Sequence, residues 1–374
     1  MSDRLTRFFA SRWGIIAVGA VIGILGPLLQ KLGNPPNMGI CVACFERDIA
    51  GALGLHRAAA VQYIRPEIIG FVLGSLIAAL VFHEFKARAG SAPIVRFILG
   101  AFAMIGALAF LGCPWRASFR LAGGDLTAIP ALLGLATGVA IGVYFLKSGY
   151  NLGRATRTYP AVGWILPLLM VGLLLLAIFQ PVFTKDGPIF ATAMGKGPGA
   201  LHAALGVSLL VGLVIGFLAQ RTRFCTMGAL RDVILMREMH LMSGLLALLA
   251  AAFLTNLALG QFKVGYAGMP IAHSNLVWNV LGMVLAGLAY ALAGGCPGRQ
   301  LFLSGEGDGD AAVFVLGMIV GAGFAHNFGL AASADKVVDG LVTVGGMTPY
   351  GMGAVVLGIV VCLAIGFTMR EKIA

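Results

Sequence analysis

Apolar runs of about the length that crosses a bilayer as a helix repeat along this chain, separated by short polar stretches. Ten can be marked: Trp13 to Gln30, Pro66 to Phe85, Ile94 to Leu111, Leu126 to Leu146, Val162 to Phe179, Leu201 to Ala219, Leu241 to Leu259, Leu276 to Ala293, Ala311 to Leu330 and Met352 to Met369. The pattern predicts an all-α polytopic membrane protein of about ten transmembrane helices, with a nine-span arrangement as the rival. The basic start "MSDRLTRFFASR" is followed by an apolar run with no small-x-small cleavage site, so an uncleaved first span is expected.

Composition sharpens this. Of 374 residues, 59% are hydrophobic and only 11% charged, too few charges to cover a soluble domain of this length. Gly contributes 54 residues, which suits helices that must approach closely in lipid. The net charge of +11 is scattered among loops rather than gathered on one face, so it points to topology and excludes nucleic acid as a partner. Most of the 26 Lys and Arg fall on one side if both termini are cytoplasmic: Arg4, Arg7, Arg12, Lys86, Arg88, Arg96, Lys147, Arg154, Arg157, Arg221, Arg223, Arg231, Arg237, Arg299, Arg370 and Lys372. That bias predicts a multi-pass protein of the inner (plasma) membrane with both ends inside.

Two signatures are written twice. "GCPWRASFRLAGGD" from Gly112 and "GCPGRQLFLSGEGD" from Gly295 share Gly, Cys, Pro, Arg, Phe, Gly and Asp in register, at an offset of 183 residues. "CVACFERD" from Cys41 matches "CTMGALRD" from Cys225 at an offset of 184. An internal duplication follows: a first repeat over 1–181, an outer linker over 182–200 and a second repeat over 201–374. Five spans separate equivalent points, and an odd number inverts the second half relative to the first. Corresponding interrupted segments then approach the midplane from opposite sides.

The chemistry sits in these segments. Pro114 and Pro297 stand where a helix starts, since the missing amide proton costs nothing at the first helical position. Cys113 and Cys296 are then near the N-caps of short helices, the first ending near Gly123 and Gly124. Free amides and the positive dipole end gather there and favour an anion or a thiolate. Irregular backbone at membrane depth is tolerated only where it is buried in protein or lines a cavity. Arg116 and Arg299 follow three residues after each cysteine, at a cost of about 2.5 to 3.5 kcal/mol in the membrane interior. Either they attract an anion, or they pair structurally with Asp125, Asp308 or a loop carbonyl.

Arg47/Asp48 and Arg231/Asp232 are adjacent in sequence, do not face each other on a helix, and read as structural anchors. Cys41 and Cys44 spell C-x-x-C, but zinc wants four ligands and no partner set appears. Redox work is the remaining reading of that pair, although the repeat partner of Cys44 is Gly228. Cys362 reads as a buried small hydrophobe, and no histidine has a partner at ligand spacing. Without a Walker loop or dinucleotide fingerprint, no cofactor and no metal is expected.

At "RFCTMGALRD", "LGCPWR" and "GGCPGR" the chain resembles the YeeE/YedE family of sulfur-transport membrane proteins over almost its whole length, and is similar to the YedE branch associated with selenium transport. The resemblance implies an hourglass of inverted halves whose short re-entrant helices meet near the centre. It also implies that Cys113 and Cys296 pass thiosulfate inward, with Cys41 and Cys225 flanking on the outer and inner sides. "GICVACFERD" departs from the pattern by lacking Arg-Phe before Cys41 and by adding Cys44. The expectation is a transporter, not an enzyme, for a small sulfur or selenium anion. Cys41, Cys113, Cys225, Cys296, Arg116 and Arg299 would serve translocation, and the partners would be the lipid bilayer and, as a candidate, a cytosolic sulfur-carrier protein. The rival readings are a membrane thiol oxidoreductase using Cys41/Cys44 and a neutral-solute channel.

Overall fold

The computed structural model describes residues 3–179 and 189–371. The expected tail charge Lys372 and the boundary at 181 and 182 lie outside the described residues. Each apolar run forms a long helix: α2 (Arg12–Lys31), α4 (Pro66–Val81), α5 (Pro93–Phe110), α7 (Ala128–Lys147), α8 (Pro160–Phe179), α9 (Leu205–Thr222), α11 (His240–Ala258), α12 (Leu276–Ala293), α14 (Gly309–Asn327) and α15 (Pro349–Thr368). Five shorter helices stand between them: α1 (Asp3–Ala10), α3 (Val42–Ala52), α6 (Pro114–Ala122), α10 (Thr226–Met236) and α13 (Pro297–Gly305). Pro at the first turn starts α4, α5, α6, α13 and α15, as its preset backbone favours.

Among the described residues nine of the long helices are apolar and long enough to cross a membrane; α4, with 16 residues, is shorter. At 1.5 Å per residue α4 reaches about 24 Å, yet its ends lie in different loop layers. Before it, Arg65 donates to the carbonyls of Pro198 and Leu201; after it, Glu84 pairs with Arg221. The other loops sort the same way. On one side β1 (Arg88–Ala89) pairs with β2 (Thr156–Arg157), Arg88 with Asp308, and Asn151 with Glu371. On the other, Asn37 bonds Asp125, Asn327 bonds the Leu55 carbonyl, and β3 (Lys336–Val338) pairs with β4 (Leu341–Thr343). In that second layer Asp335 ties three segments together. Burial works to raise the pKa of this carboxyl, but the amides of Gly268, Gly345 and Ser274 hold it below the usual carboxylate value. The two groups alternate along the chain, and the first holds Arg88, Arg157, Arg221 and Arg370.

The main packing runs between the halves of the chain rather than within them. In chain order α2, α4, α5 and α7 correspond to α9, α11, α12 and α14; α2 packs on α11 as α9 packs on α4, and α5 on α14 as α12 on α7. At the centre α5 meets α12. The last helices keep only part of this reciprocity: α8 lies on α4, α13 and α14, and α15 on α12, α5 and α7, so that the α8–α14 and α15–α7 contacts alone correspond. Backbones touch along these seams, so a Cβ on Gly19, Gly74, Gly100 or Gly138 would collide with the carbonyl of Gly244, Leu213, Phe314 or Val284 respectively. Close approach of small residues is how membrane helices gain packing without a hydrophobic drive.

We expect Gly138→Val to lower the melting temperature of the detergent-solubilised protein by several degrees, an overpacking loss of about 1 to 3 kcal/mol. Gly172→Ala, where an added Cβ meets nothing within 4 Å, should leave it unchanged. Equal melting of both variants would show that the α7–α12 seam can open without cost.

Candidate functional site

Four cysteines occupy one structural position. Cys41, Cys113, Cys225 and Cys296 are the N-cap residues of α3, α6, α10 and α13. Two residues before each, the backbone turns left-handed: Gly39 has φ of 56°, Leu111 62°, Arg223 55° and Gly294 85°. Leu111 and Arg223 hold that conformation without being glycine, a local strain of the kind that packed surroundings must impose. This turn lets the chain dip between the loop layers and start a helix back toward the layer it left. The segments before α3 and α6 and their far ends touch the layer of Asn37, Lys263 and Asn327, while α10 and α13 return to the arginine-rich layer.

The caps differ in pairs. Cys41 Sγ accepts from the Cys44 amide at 3.2 Å, and Cys225 Sγ from the Gly228 amide at 3.2 Å. Cys113 and Cys296, each followed by Pro, close no such bond in their own caps. Their sulfurs lie between two helix starts: Cys113 near the amides of Arg116 in its own α6 and Ala43 in α3, and Cys296 near those of Arg299 in its own α13 and Thr226 in α10. The Cys41 and Cys113 side chains meet, as do those of Cys225 and Cys296. The four predicted cysteines therefore form two thiol pairs, each between two helix N-termini. Cys225 is 7% exposed, whereas Cys41, Cys44, Cys113 and Cys296 are fully enclosed. All six cysteines are free thiols, and Cys362 lies buried in α15.

Trp115 joins the two motifs. It is the second residue of α6, and its counterpart 183 residues on is Gly298, the second residue of α13. The two touch, so that a Cβ on Gly298 would sit 3.3 Å from the indole. The Trp115 ring centroid is 5.7 Å from that of Phe71, 5.5 Å from Phe224 and 6.2 Å from Phe302. Its Nε1 and Tyr290 Oη are buried without a partner among the described residues, while the Thr226 side chain faces the Cys296 sulfur.

The two arginines divide the alternatives left open above. Arg116 is fully buried; it donates to the carbonyls of Asn37 at 3.2 Å, Ile271 at 2.8 Å and Leu111, and its Nη1 lies 3.6 Å from Cys44 Sγ. Loop carbonyls are its partners rather than Asp125, which Arg120 holds at 2.8 Å. Among the described residues no carboxylate pairs with Arg116, so its positive charge stands beside the first thiol pair. Arg299 pairs with Glu306 at 3.3 Å, not with Asp308, which binds Arg88 at 2.8 Å. It also lines a cavity of about 380 Å³ with Cys225, Arg223, Arg231, Asp232 and His240. The opposite layer has a smaller hollow of about 130 Å³ lined by Gln30, Asn37, Asn256, Gln261, Lys263 and Phe119.

One expectation is corrected. Arg47 bonds Asp48 at 2.6 Å and Arg231 bonds Asp232 at 2.8 Å. Adjacent Cβ atoms do point apart, but an arginine is long enough to fold back to a short neighbour. Asp48 is shared with Arg65 at 2.7 Å, which pins α3 to the loop at Pro198. Sequence reasoning passed over Trp115, Tyr290 and Glu46. The last had a signal, a carboxylate next to Arg47 and Asp48 in a buried helix whose other residues are apolar or Cys, one acid more than that Arg–Asp pair accounts for.

The sequence profile of the family described as Sulphur transport matches residues 2–114 and 221–374, which include all four capping cysteines. A protein of Spirochaeta thermophila named Thiosulfate transporter TsuA is 37% identical over 99 residues, 26% of this chain and 29% of that protein. A protein of Escherichia coli (strain K12) with the same name is 30% identical over 102 residues, 26% of this chain and 28% of its own length. The aligned stretch thus spans under a third of either relative. The profile, by contrast, covers well over half of the chain, and the chain belongs to this sulfur-transport family, the YeeE/YedE family that its motifs resemble.

Proposed function

We propose that this chain takes up a small sulfur or selenium anion of the thiosulfate kind, handed from the Cys41/Cys113 pair to the Cys225/Cys296 pair. The observation that carries the reading is the arrangement itself: two thiol pairs, each between two helix starts, whose motifs touch through Trp115 and Gly298. Helix amides and dipoles stabilise the anion's charge, and the unopposed Arg116 adds to that field on one side. Thiols donate only weak hydrogen bonds to a soft terminal sulfur or selenium. Conduction needs sites loose enough to release their cargo, and a relay of thiols meets that need better than a bidentate arginine clamp. The printed names of the two relatives supply thiosulfate as the first cargo to test.

The arginine-rich layer then faces the cytoplasm of the inner membrane, with both termini inside. The halves over 1–181 and 201–374 are opposed repeats whose short helices meet near the midplane as an hourglass. The cavity at Cys225, rimmed by Arg223, Arg231 and Arg299, is the exit, where a cytosolic sulfur-carrier protein would collect the cargo.

Growth and ³⁵S-thiosulfate uptake in a host lacking its own sulfur-anion importers test the reading, with selenite as the second cargo. We expect Cys44→Ser to keep more than half of the wild-type uptake, because its counterpart is Gly228 and one thiol per motif suffices. Loss of all uptake in that variant, at normal membrane yield, would favour a Cys41/Cys44 oxidoreductase. Failure of the wild-type chain to import either anion would overturn the proposal.

A further inference from the structure

Glu46 is a fully buried residue of α3, and neither of its carboxylate oxygens has a partner among the described residues. The positions one turn away on its own helix, Val42, Ala43, Ile49 and Ala50, are apolar. Its charged neighbours in sequence are turned elsewhere, since Arg47 donates to Asp48 and Asp48 also holds Arg65. The helices packed on α3 are α14, α4, α5 and α13. From α14, His326 stacks on His56, and Asp310 accepts from Gly90 and Ser91. From α4, Glu67 accepts from Asn34 and Ser208; from α5, Arg96 donates to Ser91 and the Ala293 carbonyl. Arg299 of α13 is paired with Glu306 just beyond its end. None of these groups bonds Glu46. One ionisable group within its electrostatic reach is Tyr290 of α12, itself fully buried with a partnerless hydroxyl, and Tyr290 is also within reach of Cys41, Cys113 and Cys296.

We propose that Glu46 is a proton-carrying site that couples transport to the proton gradient, one proton moving inward with each anion, with the Tyr290 hydroxyl as the relay between Glu46 and the thiol pairs. The inference rests on the anion-transport reading above. A bare carboxylate in such surroundings costs far more than the neutral acid, so Glu46 holds its proton when the path is empty. An anion at the thiols makes the charged carboxylate costlier still. Proton and anion therefore favour each other's binding, and the coupling is reciprocal. In the transfer, the Tyr290 hydroxyl, which rests unbonded among the described residues, swings to Glu46 and takes its proton while giving its own to water in the cavity at Cys225, so that Tyr290 ends unchanged and one proton leaves on the exit side with the anion. The carboxylate is reprotonated from the entry side, and no electrons move.

The test uses the full chain in proteoliposomes, voltage clamped with valinomycin and equal potassium, ³⁵S-thiosulfate as probe and a trapped pH dye. With the entry side one pH unit more acidic, one proton per anion gives wild-type accumulation of about tenfold. Glu46→Gln, a neutral amide of the same shape, should keep thiosulfate–thiosulfate exchange within about twofold of wild type, while gradient-driven accumulation and the dye signal vanish. Tyr290→Phe should slow proton entry with exchange intact. Tenfold accumulation by Glu46→Gln overturns the proposal. So does loss of exchange in that variant at normal yield, which would make Glu46 part of the anion's path or of the fold. Wild-type exchange without proton entry sinks the coupling alone, whereas absence of exchange with both thiosulfate and selenite sinks the transport reading.

Discussion

Cys113→Ala combined with Cys296→Ala should abolish ³⁵S-thiosulfate uptake while membrane yield and monodispersity stay near wild type. Either single change should reduce uptake at least tenfold. Each of these cysteines caps a Pro-started helix, and its sulfur meets the cysteine of a second helix start. Removing one leaves its partner pair with a single donor. The packing loss is small, because each cysteine gives up one sulfur atom and closes no capping bond of its own. Cys362→Ala removes the same atom from a site in α15 outside both repeated motifs, and should transport as wild type. Serine at Cys113 or Cys296 keeps a donor but loses the soft, polarisable sulfur, so uptake near that of the alanine variants would assign the effect to sulfur itself. Wild-type flux in the double alanine variant would reduce the repeated motif to a structural turn.

What could be read in the sequence was local. Run length located the ten long helices, and Pro114 and Pro297 placed Cys113 and Cys296 at helix starts, because proline's missing amide proton acts on its own segment. Cys41 and Cys225 lack that proline, and a capping sulfur that accepts an amide three residues on leaves no comparable mark. The left-handed turns were half visible: Gly39 and Gly294 suit them, while Leu111 and Arg223 adopt them only because surrounding helices impose it. Arg116 shows the limit most clearly. Its partners come from Asn37, Leu111 and Ile271, three loops brought together by the exchange of helices between the halves. No spacing rule contains that information. The Arg116 partner problem and the Trp115–Gly298 contact share one cause, since both arise where the two repeats face each other and a duplicated sequence does not display its own docking.

Trp115→Gly should convert a selective carrier into a leak. The substitution makes both motifs read Gly-Cys-Pro-Gly-Arg, and it removes the indole that lies against Gly298 and inside the ring of Phe71, Phe224 and Phe302. In the proposed path Trp115 serves as the barrier between the two thiol pairs, and a glycine at 115 opposite the glycine at 298 removes the indole that fills this contact. Vesicles carrying this variant should release trapped sulfate and chloride many times faster than wild type, and their thiosulfate flux should lose its preference over sulfate. A core Trp truncation costs about 3 to 5 kcal/mol, so the variant must first be shown to elute as a single folded species. Trp115→Phe guards against a merely unfolded result: it retains a ring against Gly298, should hold sulfate as tightly as wild type, and loses only the Nε1 donor. The reverse change tests the same contact from the other side. Gly298→Ala puts a methyl 3.3 Å from the indole, tight enough that the neighbour must give by a few tenths of an ångström, and should slow thiosulfate entry without any leak. A sulfate-tight Trp115→Gly protein that still carries thiosulfate selectively would mean that the barrier lies in the thiol pairs and their helix starts, with the indole serving as packing.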